Sequence, residues 1–204
     1  MSTAQHEAAA KQEEVNAVQH GDQYDPAASA TSTTCTKGTI CWTSTRNPTA
    51  QHKADESQHH ELADKHRAAA QALRDAENNA CAGIDEADRV ASPFYHREDI
   101  SSVRKVERPV TDGQGGSRTE FAGGGAVFRA VPGLTAEWLQ REVNCHLARA
   151  AAVGFSMPEM SYCPLMLKGV TAEVSSTGDG FLIAVTSTDP ATASEIWRRV
   201  QALK

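Results

Sequence analysis

Three of the four methionines lie in the segment SMPEMSYCPLM, where Met157, Met160, Cys163 and Met166 recur at every third position. Cys145 and His146 precede them as neighbours in CHLARAAAVG. Thioether and thiolate sulfurs are soft ligands suited to Cu(I), and methionine keeps its ligand character where thiols are lost to oxidation. Pro158 and Pro164 oppose a continuous helix here. The pattern therefore predicts a loop that wraps its sulfurs inward, with His146 adding an imidazole. Packing explains the same residues in another way. Methionine fills irregular gaps in small cores, and a Cys145–Cys163 disulfide would pin the loop to the preceding helix. That disulfide would consume both thiolates and leave Met157, Met160 and His146 as a thioether-rich set. The Cys145–His146 pair also suggests a thiol with its base, but adjacent helical positions point about 100° apart.

Histidine forms the second set. His6, Glu13 and His20 are spaced by seven, as are His52, His59 and His66, and the latter series continues through Leu73 to Ala80. A step of seven returns a helical position to within about 20° of the same face. Each series is thus one line on a helix. A face that passes from His to Leu and Ala is predicted to be packed along its length, with a polar or metal-binding end. Two or three neutral imidazoles, helped by Glu13 or Glu56, would suit Zn(II) or Cu(II). Exposed histidines on a helix rich in Ala, Gln and Glu can equally bind nothing. No H-E-x-x-H occurs, so metalloprotease chemistry has no motif. In SPFYHREDI, His96 stands beside two acids and two aromatics, and reads as a packed or capping residue because no nucleophile accompanies it.

These lines need helices to carry them. Ala4 to His20 consists of strong helix formers. Asn47 and Pro48 are start signals for a second long helix reaching about Ala80, followed by Gly83. Between the helices, Gly21 to Arg46 is rich in Ser, Thr, Gly and Pro and reads as an extended loop carrying Cys35 and Cys41. A return of this length permits an antiparallel pair that brings His6 or His20 toward His52, His59 and His60. The last part reads as strand Ala126 to Val131, a helix capped by Thr135, strands Val170 to Ser175 and Phe181 to Ser187 around Gly178 and Gly180, and a helix opened by Asp189 and Pro190. The expected fold class is α+β: residues 1–100 a His-rich helical hairpin, 101–125 a Gly-rich linker, and 126–204 a small βαββα domain. That domain has three strands, or four if Val103 to Val110 pairs as well.

The chain has 204 residues and a formal net charge of −6. This length suffices for one sizeable core or two small ones. The negative charge argues against duplex nucleic acid or an anionic membrane surface, which need surplus Lys and Arg. No run approaches the roughly 18 apolar residues of a membrane span, and MSTAQHEAAAKQEE lacks a secretory signal's basic start and apolar run. Five cysteines leave at least one unpaired in a monomer. Pairing by neighbourhood would join Cys35 to Cys41 and Cys145 to Cys163, while Cys81 could instead tie the loop to the second helix; connectivity stays open. Such staples belong to an oxidising compartment.

The βαββα order resembles ferredoxin-like metal-trafficking domains in topology alone, without their C-x-x-C loop, so no binding residue is carried over. The polar His-containing start, with CW, YHRED and CHLARAAAVG followed by CPL, resembles uncharacterised bacterial envelope proteins, including predicted lipoproteins. That resemblance implies a periplasmic or cell-envelope location, with a signal or lipid anchor in the native precursor, and no activity. Three functions fit these residues. The leading expectation is an exported binder of a transition metal, copper before zinc, for storage, delivery or resistance, using Cys145, His146, Met157, Met160, Cys163, Met166, His52, His59 and His66. The second is a metal-free, disulfide-stapled adaptor binding an envelope protein partner. The third is a thiol enzyme using Cys145 or Cys163.

Overall fold

Helix-forming composition and a seven-residue repeat build the first of two units, Thr3–Gln71; the second is Ala72–Lys204. The computed structural model describes residues 1–36, 40–111 and 115–204. Helix α1 spans Thr3–Gln23 and helix α2 spans Ala50–Ala80, running on from the first unit into the second. Asn47 anchors the entry to α2, its side chain accepting from the Thr49 amide at 2.7 Å and donating to the Asp25 carbonyl at 2.8 Å. The start signal read from Asn47 and Pro48 thus lies within three residues of the helix.

In the first unit the fully covered seam residues of α1 and α2 are alanines: Ala10 and Ala17, Ala63 and Ala70. Burying a methyl group contributes only about 0.8 kcal/mol. The seam therefore relies on the polar side chains between the alanines for its register. The helices run antiparallel, so each step of seven along α1 meets a step of seven back along α2, pairing His6 with His66, Glu13 with His59 and His20 with His52.

The expected loop between these helices is instead a β-hairpin, β1 (Ala30–Thr36) and β2 (Ile40–Arg46); Lys37, Gly38 and Thr39 lie outside the described residues. β-Branched threonines favour strand, and here they outweigh the turn-like composition. Cys35 and Cys41 are direct cross-strand partners and form a disulfide.

The second unit corrects two expectations. The segment read as a Gly-rich linker contains two long paired strands, β3 (Ile100–Thr111) and β4 (Ser117–Arg129). Asp112, Gly113 and Gln114, part of that segment, lie outside the described residues. The sheet is four-stranded and antiparallel in the order β3-β4-β6-β5, with β5 at Val170–Thr177 and β6 at Gly180–Ser187. The three-stranded ferredoxin-like arrangement is therefore not what forms; Val103 to Val110 supplies the fourth strand at the edge. The α+β class stands.

Glycines lie inside β4 because a helix packs there. A Cβ on Gly124 would stand 3.0 Å from the Trp197 ring and 3.2 Å from Val200. Gly123 has φ +151° at a register shift, and a Cβ on it would meet the Val185 carbonyl oxygen at 2.3 Å. Composition alone had suggested flexibility; the glycines instead permit close approach.

Helix α4 (Ala136–Ala152) begins as its sequence predicts, Thr135 accepting from the Trp138 amide at 3.2 Å. Helix α5 (Pro190–Gln201) begins with Asp189 accepting from the Thr192 amide at 2.8 Å. Leu139 and Val143 of α4, Ile196 and Val200 of α5, and Ala126, Ile183 and Val185 of the sheet join one apolar core. A short helix α3 (Glu86–Val90) and a turn around Phe94, itself fully buried, precede β3.

Candidate metal centre

The helical seam supplies a cluster whose geometry suits a metal ion. The Nδ1 atoms of His20 and His52 stand 3.0 Å apart, and Asp55, one turn beyond His52, brings a carboxylate oxygen to 3.9 Å from His20 Nδ1. One ligand atom from each of these three residues lies within 4.8 Å of the others. In a tetrahedral zinc site with Zn–N near 2.0–2.1 Å, neighbouring ligand atoms are about 3.3 Å apart. The His20–His52 separation is close to that edge. Without an ion, one imidazole donates to the other; with both protonated, the pair repels.

The neighbouring layer holds this one in place. The His59 ring stacks on His20 with centroids 5.3 Å apart and planes 13° from parallel. His59 Nδ1 donates to Glu13 Oε2 at 2.6 Å, which fixes its tautomer and turns its Nε2 away from the carboxylate. Two turns further along α1, His6 and His66 repeat the facing Nδ1 pair at 3.0 Å, but among the described residues they belong to no group of three metal-capable side chains. Burial, then the His66 charge and the amino terminus, hold the His6 pKa below the ordinary imidazole value. His60 turns outward, half exposed, with Nδ1 3.8 Å from Glu14. The side chains of His20 and Asp55 are 29 % and 28 % exposed, open enough for an ion to enter.

Of the helical residues singled out from sequence, the fold brings His52 and His59 to this cluster and sends His66 to the other pair. Sequence reasoning missed Asp55 as a member of this cluster and left His20 outside the chosen set. The signal was present, since an i,i+3 spacing puts Asp55 on the face of His52.

The sulfur set is arranged differently. Cys145 is bonded to Cys81, not to Cys163, so of the neighbourhood pairing Cys35–Cys41 forms and Cys145–Cys163 does not. The long return through β3 and β4 separates residues that are near in sequence from those near in space. Cys163 is the free cysteine; it is buried, and its sulfur accepts from Ser92 Oγ at 3.2 Å. Burial pushes its thiol pKa up, against the hydrogen bonds that favour the thiolate. Met160, Cys163 and Met166 all belong to the apolar core, and Met157 packs partly buried against it. His146 is buried on α4, and its Nε2 has no hydrogen-bond partner among the described residues. Burial lowers its pKa, partly offset by backbone groups of Ala91 and Asp88. Met160, Cys163 and Met166 are thus brought together as packing groups, while Cys145 sits with Cys81 and Ile84 in a separate small cluster.

His96 is exposed and lies with Nδ1 3.0 Å from Glu98; with Asp99 it forms a second, more open group of metal-capable side chains. No helix among the described residues is long and apolar enough to cross a membrane. No family model, curated protein or solved structure matches the chain.

Proposed function

We propose that the protein binds a divalent transition metal ion, Cu(II) or Zn(II), between α1 and α2, with His20, His52 and Asp55 as protein ligands. The observation that carries this reading is the His20–His52 pair, with Nδ1 atoms 3.0 Å apart beside the Asp55 carboxylate. Two imidazoles and a carboxylate suit copper and zinc, and three protein ligands leave a coordination position for a water or for exchange with another binder. An open, exchangeable site fits storage or delivery of the ion better than a closed structural role. The compartment proposed is an oxidising one, the cell envelope or periplasm, for which the disulfides Cys35–Cys41 and Cys81–Cys145 speak. Cu(I) binding through sulfur is the weaker form of the proposal, because Cys145 is oxidised and Met160, Cys163 and Met166 serve the core.

Calorimetric titration with Zn(II) and Cu(II) tests the reading. One ion per chain is expected, with affinity reduced at least tenfold in His20→Ala, His52→Ala and Asp55→Asn and unchanged in His6→Ala. Equal binding by all four variants, or no binding by the parent protein, would overturn it.

A second reading rests on the β1–β2 hairpin. Ile40 and Trp42 are 67 % and 51 % exposed on a disulfide-stapled element, which suits an adaptor that docks a protein partner. Loss of partner capture on Trp42→Ser, with metal affinity intact, would favour it.

A further inference from the structure

We infer that the pocket ending at Glu142 binds a small organic cation, a ring-sized apolar body carrying one ammonium group that pairs with the Glu142 carboxylate. The pocket has a volume of about 170 Å³ and is walled by Pro93, Phe128, Leu134, Trp138 and Leu139. A cavity of roughly 150 Å³ holds a benzene ring. Small-molecule sites commonly combine such apolar walls with a few placed polar groups.

The polar group here is Glu142, 8 % exposed and with no hydrogen bond or ion pair among the described residues. A carboxyl set among these mostly apolar walls gains a charge-assisted hydrogen bond from a ligand that supplies donors. Burial, then the nearby Asp88 carboxylate, pushes its pKa up to about 7, against a smaller opposite effect of His96. The other charged groups lining the pocket are Asp88, His96, Asp99 and Arg129. Of the basic ones, His96 faces Glu98 at 3.0 Å, while Arg129 donates to the Glu98 backbone carbonyl at 3.2 Å and keeps its charge as the one cation set against the acids. The three acids Asp88, Asp99 and Glu142 therefore outnumber the available cations, and the lining selects a positive guest.

Benzylamine, with benzyl alcohol and benzoate as neutral and anionic counterparts, is the probe, followed by chemical shifts of the Trp138 indole and Leu134 amide. Saturable binding of benzylamine at pH 8, at least tenfold tighter than benzyl alcohol and with benzoate weakest, is expected. Lowering the pH to 6 protonates most of Glu142 and should weaken benzylamine about tenfold while leaving benzyl alcohol unchanged. In Glu142→Gln the amine should fall to the affinity of the alcohol. Trp138→Ala should weaken both. Absence of saturable benzylamine binding would overturn the proposal, as would equal affinity for amine and alcohol in the parent, or an amine preference that survives Glu142→Gln. If that variant does not fold, the pH profile of the parent decides alone.

Discussion

His20 of α1 and His52 of α2 face each other through their Nδ1 atoms at 3.0 Å, a separation that serves a single shared proton or a single shared metal ion. Sharing a proton requires one ring to offer a lone pair at Nδ1, whereas sharing a metal ion requires both rings to do so. Metal bound here should stabilise the folded chain by linkage, by about 2.7 kcal/mol at a free-ion concentration one hundred times Kd. A thermal melt with Zn(II) should show a rise that chelation reverses and that His52→Ala lacks. Because ligation requires unprotonated imidazoles, the rise should shrink as the pH is lowered.

The Glu142 carboxyl gives a second pH dependence with the opposite sense. Its pKa is raised from 4.5 to about 7, so the folded state holds a proton that the unfolded state releases between those values. Its contribution to stability is complete below pH 4.5 and is lost as pH rises through 7, a loss of roughly 3 kcal/mol. Glu142→Gln should therefore be more stable than the parent at pH 8 and match it near pH 4. Urea midpoints at the two pH values measure the difference; a gap independent of pH would contradict it.

Cys81 and Cys145 are 64 residues apart, and their disulfide closes a loop whose chain entropy is worth about 4 kcal/mol. The paired change Cys81→Ser and Cys145→Ser should cost that order of stability. Opening the six-residue separation of Cys35 and Cys41 should cost less and act on the hairpin alone. Cys163, buried with a raised pKa, should resist iodoacetamide at pH 7.5 in the native protein and react only on unfolding. Rapid single-site labelling of native Cys163 would revive thiol chemistry.

Gly123 in β4 and Gly178 in the β5–β6 turn provide a comparison between a crowded and an open glycine. Alanine at Gly123 would drive a Cβ against the Val185 carbonyl and hold a backbone angle that L-residues rarely adopt, costing more than about 2 kcal/mol. Nothing lies within 4 Å of a Cβ at Gly178, and alanine there should change stability by no more than about 0.5 kcal/mol. Equal midpoints for the two variants would show that the Gly123 conformation is not required.

The helices, their caps and the last hairpin were legible in the sequence because their causes are local. Thr135 and Asp189 cap the helices they precede, the turn before Gly180 joins β5 to β6, and the steps of seven place His6, Glu13 and His20 on one face opposite His52, His59 and His66. Tertiary structure alone decided which members of those lines meet. It gave Asp55 to the His20–His52 pair, joined Cys81 rather than Cys163 to Cys145, and turned Gly124 of β4 from part of an expected linker into room for Trp197 and Val200. Spacing along a chain specifies the direction in which a side chain leaves its helix or strand. What it meets there depends on long-range register and packing, and in this chain those place Glu142 in the lining of a mostly apolar pocket.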